Sequence, residues 1–278
     1  MARSNLPSGN LSLFVEESAN DADCSCSGPF ELGRPESLTG PGQHFPTPPR
    51  YILNKYRLNK SRRKSHRNGC TRWFEKQAAI AGFERPAGAD EAGRGALFGP
   101  VMAAAVILDP SSRIKGINDS KQLSAARREE LETQIKATAL SWSVAEVDAG
   151  EIDRINVYQA SRVAMRQAVL TLHPEPDFVF VDALRLDLMT PQLSLIHGDA
   201  LCLSIAAASI LAKVERDRRM QEYERIFPGY NLGQNKGYGT SEHCAALRNL
   251  GATPQHRQSY APVAAVAAAK PKAAESLF

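Results

Sequence analysis

The stretch Ala87-Gly-Ala-Asp-Glu-Ala-Gly-Arg-Gly-Ala-Leu-Phe-Gly-Pro-Val-Met-Ala-Ala-Ala-Val-Ile-Leu108 decides how this chain folds. Its first part is short and apolar and ends on two acids, Asp90 and Glu91. Its last part, Val101 to Leu108, is an unbroken apolar run of strand length. Gly93-Arg94-Gly95 stands between them. A GxG turn after a strand invites comparison with a dinucleotide-binding loop, but Leu97-Phe98-Gly99 breaks the spacing. A strand also follows where a helix should begin. The reading is two buried strands joined by a glycine turn, with acids at the end of the first.

Outward from this pair, strand-like and helix-like segments alternate. Ser124 to Ala137 reads as an amphipathic helix opened by a serine, Ser141 to Val147 as a strand, and Glu151 to Leu172 as a helix. Asp177 to Asp182 (DFVFVD) reads as a buried strand, Gln192 to Ile196 as another, and Asp199 to about Phe227 as one long helix. This alternation predicts an α/β layered domain. Residues 1–68 are rich in Gly, Pro, Ser and charge and read as a disordered tail, with 69–263 as the folded domain and 264–278 as a flexible Ala-rich tail that can form a short helix. At 43% hydrophobic residues the chain can bury a core, yet no apolar run is long enough to span a bilayer, and Met1-Ala-Arg-Ser-Asn opens no secretory leader. A cytoplasmic monomer without membrane contact is expected.

The net charge of +4 is unevenly placed. Residues 1–49 carry a net −4, whereas 50–72 carry nine Lys and Arg and no acid. This basic arm suits a polyphosphate partner through counterion release. A solubilising linker explains it equally well. Cys24, Cys26, Cys70, Cys202 and Cys244 form neither a disulfide framework nor paired zinc spacing. Cys202, in an apolar run, reads as a small core residue.

Four acids stand at element ends: Asp90 and Glu91 after the first strand, Asp182 after Phe178-Val-Phe-Val181, and Asp199 before the long helix. Open α/β sheets gather ligands at the carboxyl ends of their strands. Neighbours on a strand point to opposite faces, so Asp90 and Glu91 share a site only at a strand end or a bulge, which Gly88 and Gly93 permit. Clustered carboxylates repel, and hard divalent cations relieve that repulsion. Two such ions about 4 Å apart can hold an attacking water and a leaving oxygen in line. The plainer alternative is that these acids are caps and turn residues, a serious one for Asp199. Gly93, Arg94 and Gly95 can bring backbone groups and one guanidinium against a sugar and its phosphate, a role in which a side chain at Gly93 would block ribose approach. Asn118-Asp119-Ser120-Lys121 is a phosphate-binding turn or simply a capped one, and Tyr238, between two glycines, either stacks on a ligand or packs in a tight turn. His197, His243 and His256 read as packing or hydrogen-bonding residues.

Together these segments resemble bacterial ribonuclease HII. The resemblance rests on Ala89 to Gly95 with Gly99-Pro100-Val101, on Asn118 to Lys121, and on Val181-Asp182-Ala183. It continues through His197-Gly-Asp-Ala200 leading into Ser204 to Val214, Lys236 to Thr240 with His243, and Thr253-Pro254 with His256-Arg257. It covers residues 71–263 and implies an RNase H-like fold: a mixed five-stranded sheet flanked by helices, with a helical C-terminal part. It implies endonucleolytic hydrolysis of the RNA strand of RNA–DNA hybrids and cutting 5′ of ribonucleotides embedded in duplex DNA, giving 3′-hydroxyl and 5′-phosphate ends. By the same resemblance Asp90, Glu91, Asp182 and Asp199 would be catalytic and hold Mn²⁺ or Mg²⁺. Gly93, Arg94 and Gly95 would read the ribose 2′-hydroxyl, Asn118, Ser120 and Lys121 would hold phosphate, and Tyr238 would stack on the junction sugar. Ala96 and Phe98 stand where the family usually has Pro and Ala, which is expected to alter packing behind the turn and not the chemistry, and Tyr260 replaces a usual Phe. The related type III enzymes lack the Gly-Arg-Gly turn and carry a longer N-terminal domain.

Leu11, Leu13 and Phe14, in Asn10-Leu-Ser-Leu-Phe14, resemble the short peptide with which bacterial repair proteins bind the replication sliding clamp. Two other function classes suit parts of the sequence. Another two-metal nucleic-acid enzyme, such as a resolvase or transposase, would ignore an embedded ribonucleotide. A non-catalytic binder working through the basic arm would keep its activity in Asp182→Asn.

Overall fold

The computed structural model describes residues 70–269. Helix α1 (Trp73–Ile80) leads into strands β1 (Pro86–Ala92) and β2 (Val101–Leu108). Helix α2 (Ala125–Thr138), strand β3 (Ala139–Val147), helices α3 (Ala149–Ile155) and α4 (Val157–Leu170), and strands β4 (Phe178–Asp182) and β5 (Gln192–Leu195) follow. The chain ends in α5 (Leu203–Ile226), α6 (Leu232–Asn235), α7 (Ser241–Leu250) and α8 (Ala261–Ala269). The sheet order is β3-β2-β1-β4-β5. β1 pairs antiparallel with β2 and parallel with β4, so the sheet is mixed, as expected.

Every residue of β2 is buried, because helices cover both sheet faces. Alternation along the strand sends Ala103, Ala105 and Ile107 to the α4 side, against Ala164, Met165 and Ala168. Ala104, Val106 and Leu108 face α2 and α5, against Leu131, Ile135 and Ala207. The small residues let α5 ride directly on the sheet. A Cβ built on Gly88 would stand 2.2 Å from the backbone carbon of Ser204, so Gly88 is required by close helix approach. It does not bend the strand: β1 pairs with β2 without a bulge from Ala87 to Ala92.

Two helix readings are corrected. The segment predicted as one helix from Glu151 to Leu172 is two, broken at Asn156. That residue takes a left-handed φ of 67° and turns its side chain to accept from the N–H groups of Tyr158 and Gln159, capping α4. The long helix starts at Leu203, not at Asp199, which lies in a separate 3₁₀ turn, Gly198–Ala200. No residue of its own caps α5. Glu75 of α1 does so from outside: its Oε1 accepts from the Ser204 N–H at 2.8 Å and from the Ser204 hydroxyl. Cys202 is buried at this junction, as the sequence led one to expect.

The C-terminal helices grip the segment that follows the glycine turn. Leu97 N–H donates to Gly237, Gly99 N–H to Gln255, and Arg257 N–H to Leu97. Phe98 fills the space between them, with its ring against those of Tyr223, Phe227 and His256. Helix α8 continues past residue 263 to Ala269. Among the described residues no helix is long and apolar enough to cross a membrane.

Candidate active site

β1 outlasts its partner β4: their parallel pairing stops at Ala89 and Val181, while β1 continues through Asp90 and Glu91. Both acids therefore emerge at the carboxyl end of the sheet, next to Asp182, the last residue of β4. Ala183 at φ 51° turns the chain sharply after Asp182. His197 at φ 59° turns it again into the 3₁₀ turn that presents Asp199, and the Gly198 N–H donates to Asp182 Oδ1 at 2.7 Å. A strand end, a return loop and a short turn thus carry the four predicted acids to one place.

Their environment is poor in water. Asp90 is 4% exposed and Asp199 6%. Burial drives the Asp90 carboxyl well above the usual range, and the Glu91 and Asp182 carboxylates push it further. Burial also raises Glu91, against the pull of Arg94, whose Nη1 lies 3.2 Å from Glu91 Oε1. Asp182 is raised by burial and by Asp199, opposed by the Gly198 N–H. One buried oxygen, Glu91 Oε2, has no hydrogen-bond partner among the described residues. Besides Arg94, Lys121 brings a cation to the cluster, its Nζ 3.3 Å from Asp199 Oδ2. Burial lowers its pKa, but Asp199, Asp119 and Asp90 outweigh that and hold the ammonium charged.

These residues fit a hard cation in chemistry: the donors are all carboxylate oxygens, one of them orphaned, and the site draws in an ammonium. No group of three His, Cys, Asp or Glu among the described residues is already arranged to hold a metal ion. Several oxygens are occupied, since Asp90 Oδ1 accepts from the Glu91 N–H, Asp182 Oδ1 from Gly198, and Asp199 Oδ2 from Lys121.

The other predicted residues divide. Lys121 joins the acids. Ser120 turns inward, its hydroxyl 2.9 Å from that of Ser209 on α5, so it has no free side chain for a phosphate. Asn118 bonds to Gln122 at the rim. Tyr238 is 38% exposed, so it is not the buried turn tyrosine of the plainer reading. Gly93 and Gly95 part company. Gly93 is buried with φ +92°, and a Cβ there would lie 1.8 Å from Arg216 Nε. Gly95 is exposed, and a Cβ would meet nothing within 4 Å. A side chain at Gly93 would thus strike the protein interior, contrary to the expectation that it would block a ribose. Leu11, Leu13, Phe14 and the basic arm up to residue 69 lie outside the described residues.

Sequence reading assigned no role to Arg216 and Arg257, both fully buried. Arg216 underlies the turn: it touches the Gly93 position, stands 5.7 Å from the Tyr238 ring centroid, and donates to the Phe98 carbonyl. Its Nε and Nη1 have no partner among the described residues. Burial lowers its pKa to about 10, so it stays charged at neutral pH. Nothing in the sequence marks it, since it sits in the charged half of α5 with arginines and acids on either side. His243 and His256 are indeed interior hydrogen-bonding residues. The Thr253 N–H donates to His256 Nδ1, which leaves Nε2 to carry the proton; it faces His243 Nε2 at 3.3 Å, and His243 Nδ1 donates to the Tyr238 carbonyl at 2.9 Å. The pair holds the backbone that presents Tyr238.

The profile of the family described as Ribonuclease HII matches residues 87–263. The Ribonuclease HII of Koribacter versatilis is 55% identical over 194 residues, covering 70% of this chain and 76% of that one. That of Geobacillus thermodenitrificans is 48% identical over 217 residues, covering 76% and 83%. Among solved structures, the RNase HII of Archaeoglobus fulgidus, solved as a complex with PCNA, superposes with a TM-score of 0.57 at 25% identity, over 65% of this chain and 96% of that one. The ribonuclease H2 of Pyrococcus horikoshii shares the fold with a TM-score of 0.56 at 24% identity, over 66% and 97%. With its acids gathered at the sheet end and nearly two thirds of its length matched, this chain belongs to the ribonuclease HII family, a family of hydrolytic nucleases.

Proposed function

We propose that this chain hydrolyses the RNA strand of RNA–DNA hybrids and cuts 5′ of ribonucleotides embedded in duplex DNA, leaving 3′-hydroxyl and 5′-phosphate ends. The observation that carries the reading is one juxtaposition: four acids beside a turn that exposes Gly95, with Tyr238 held next to it through Arg216. An acid cluster alone suits many phosphoryl-transfer enzymes. A neighbouring turn with an open, side-chain-free face suits recognition of a sugar hydroxyl.

Asp90, Glu91, Asp182 and Asp199 would hold two divalent cations, Mg²⁺ or Mn²⁺. When bound, such ions supply a water of lowered pKa and offset charge building on the phosphodiester. The chain's own residues do the rest. Lys121 is released from Asp199 to meet a phosphate oxygen, and Arg94, 42% exposed at the rim, meets the next phosphate. Tyr238 lies flat against the sugar, with buried Arg216 packed behind the ring as its support. Residues 50–72 add affinity for the backbone outside the cut.

The test is a duplex with one ribonucleotide, incubated with and without divalent metal, with the cut mapped. Metal-dependent cleavage on the 5′ side of the ribonucleotide is expected; an intact duplex under both conditions refutes the proposal. Leu11, Leu13 and Phe14 additionally support docking on the replication sliding clamp, a reading favoured by the PCNA complex of the Archaeoglobus relative. Fluorescence polarisation with a peptide of residues 6–18 tests it, and no saturable binding to the clamp ends it.

A further inference from the structure

We infer that Arg257 and Tyr260 are positioning residues that latch the Arg94 carbonyl inward and thereby aim the Gly95 N–H at the ribose 2′-hydroxyl. This rests on the proposed reading of embedded ribonucleotides.

The Arg94 carbonyl oxygen accepts two hydrogen bonds, from Arg257 Nη1 at 2.8 Å and from the Tyr260 hydroxyl at 2.6 Å. The two donors are themselves joined, since Arg257 Nη1 also donates to the Tyr260 hydroxyl at 3.0 Å. The triangle is closed: one carbonyl, one guanidinium and one phenol. Arg257 is anchored further by donating to the Gly99 and Pro100 carbonyls at 3.0 and 3.1 Å. The loop carrying both residues is tied down by Asp153 of α3, which accepts from the N–H groups of Gln258 and Ser259 at 2.7 and 2.9 Å.

A trans peptide is planar, and its C=O and N–H point in opposite directions. Holding the Arg94 oxygen toward buried Arg257 turns the N–H of the same peptide, that of Gly95, outward. That N–H has no acceptor among the described residues. It belongs to the exposed glycine whose Cβ would meet nothing within 4 Å. A fixed donor thus faces open space. Without the latch the peptide can flip, and either its oxygen or its N–H would face the ligand.

Tyr260→Phe removes that second bond and keeps the ring. The readout is the ratio of the full-length chain's affinities for a one-ribonucleotide duplex and the matching all-deoxy duplex, measured by anisotropy in EDTA. A weakened hydrogen bond of ordinary strength predicts a roughly threefold loss of that preference, with all-deoxy affinity unchanged. Arg257→Lys, which withdraws the other donor, should erase the preference in protein that circular dichroism shows to be folded. A preference unchanged in Tyr260→Phe, with only the melting temperature lowered, overturns the latch. Equal loss of affinity for both duplexes also overturns it. So does wild-type protein that cuts the ribonucleotide yet binds both duplexes equally, because no backbone reading of the hydroxyl would then exist. Wild-type protein that leaves the ribonucleotide duplex intact refutes the proposed function itself, and the latch with it.

Discussion

Gly93 and Gly95 are one residue apart, yet alanine at each should fail in opposite ways. At Gly93 the backbone lies at φ +92°, where an L-residue costs about 1–2 kcal/mol. The added Cβ would also stand 1.8 Å from Arg216 Nε and 2.5 Å from its Cδ. Arg216 cannot retreat easily, because it is wholly buried and bonded to the Phe98 carbonyl. Overpacking of this kind costs a further 1–3 kcal/mol or so. The sum, about 2–5 kcal/mol, is a large share of the stability of an ordinary domain, and at roughly 2–4 °C per kcal/mol it lowers the melting temperature by about 4–20 °C. At Gly95 neither penalty applies, and alanine there should leave the melting temperature within about 2 °C of wild type, helped by the smaller entropy of the unfolded chain. What Gly95→Ala loses is room for the ligand: kcat/KM on a one-ribonucleotide duplex should fall about tenfold or more, the effect of a methyl group held against a sugar in a rigid site. Differential scanning fluorimetry and steady-state cleavage on the same preparations make the comparison. Full activity in Gly95→Ala, or a wild-type melting temperature in Gly93→Ala, would refute the reasoning.

Three further outcomes follow from the same site. Asp90→Asn should abolish cleavage yet melt at or above wild type at pH 7.5 in EDTA, since it removes a buried carboxylate whose charged form is disfavoured by desolvation; a clearly lower melting temperature would contradict this. His256, pushed down to about 4 by burial and by His243, should make the fold sensitive to acid: a depressed pKa contributes stability that is complete above 6.5 and is lost as pH falls toward 4, up to about 3 kcal/mol. Urea unfolding at pH 7 and pH 4.5 should therefore show a larger acid loss in wild type than in His256→Gln, and equal losses would exclude the pair as its source. Deleting residues 1–68 should flatten the dependence of duplex affinity on salt, by about 0.9 in the log–log slope for each phosphate contact removed; an unchanged slope would assign the arm to solubility.

The mixed sheet came only with the family resemblance, whereas the residues alone carried the layered α/β class and the acids at element ends. These are legible because burial writes itself locally: Val101 to Leu108 and Phe178 to Val181 are apolar at every position, and an acid that ends such a run has to be at a sheet end. Motifs in a fixed order then carried the family. The sequence did not show where Glu151 to Leu172 breaks, because Asn156 occurs as readily on a helix surface as in the left-handed cap it occupies here. It did not show that Asp199 precedes the long helix instead of capping it, because a 3₁₀ turn has the composition of a helix start. Above all, it could not separate Gly93 from Gly95. Both are glycines in one short turn, and their difference lies in what faces the missing Cβ: the guanidinium of Arg216 in one case, open space in the other. Tertiary structure alone decided that, together with the inward pull of Arg257 and Tyr260 on Arg94 and the placement of Tyr238 beside the turn. Such contacts join residues distant along the chain, and the one-dimensional pattern holds only the propensities of neighbours.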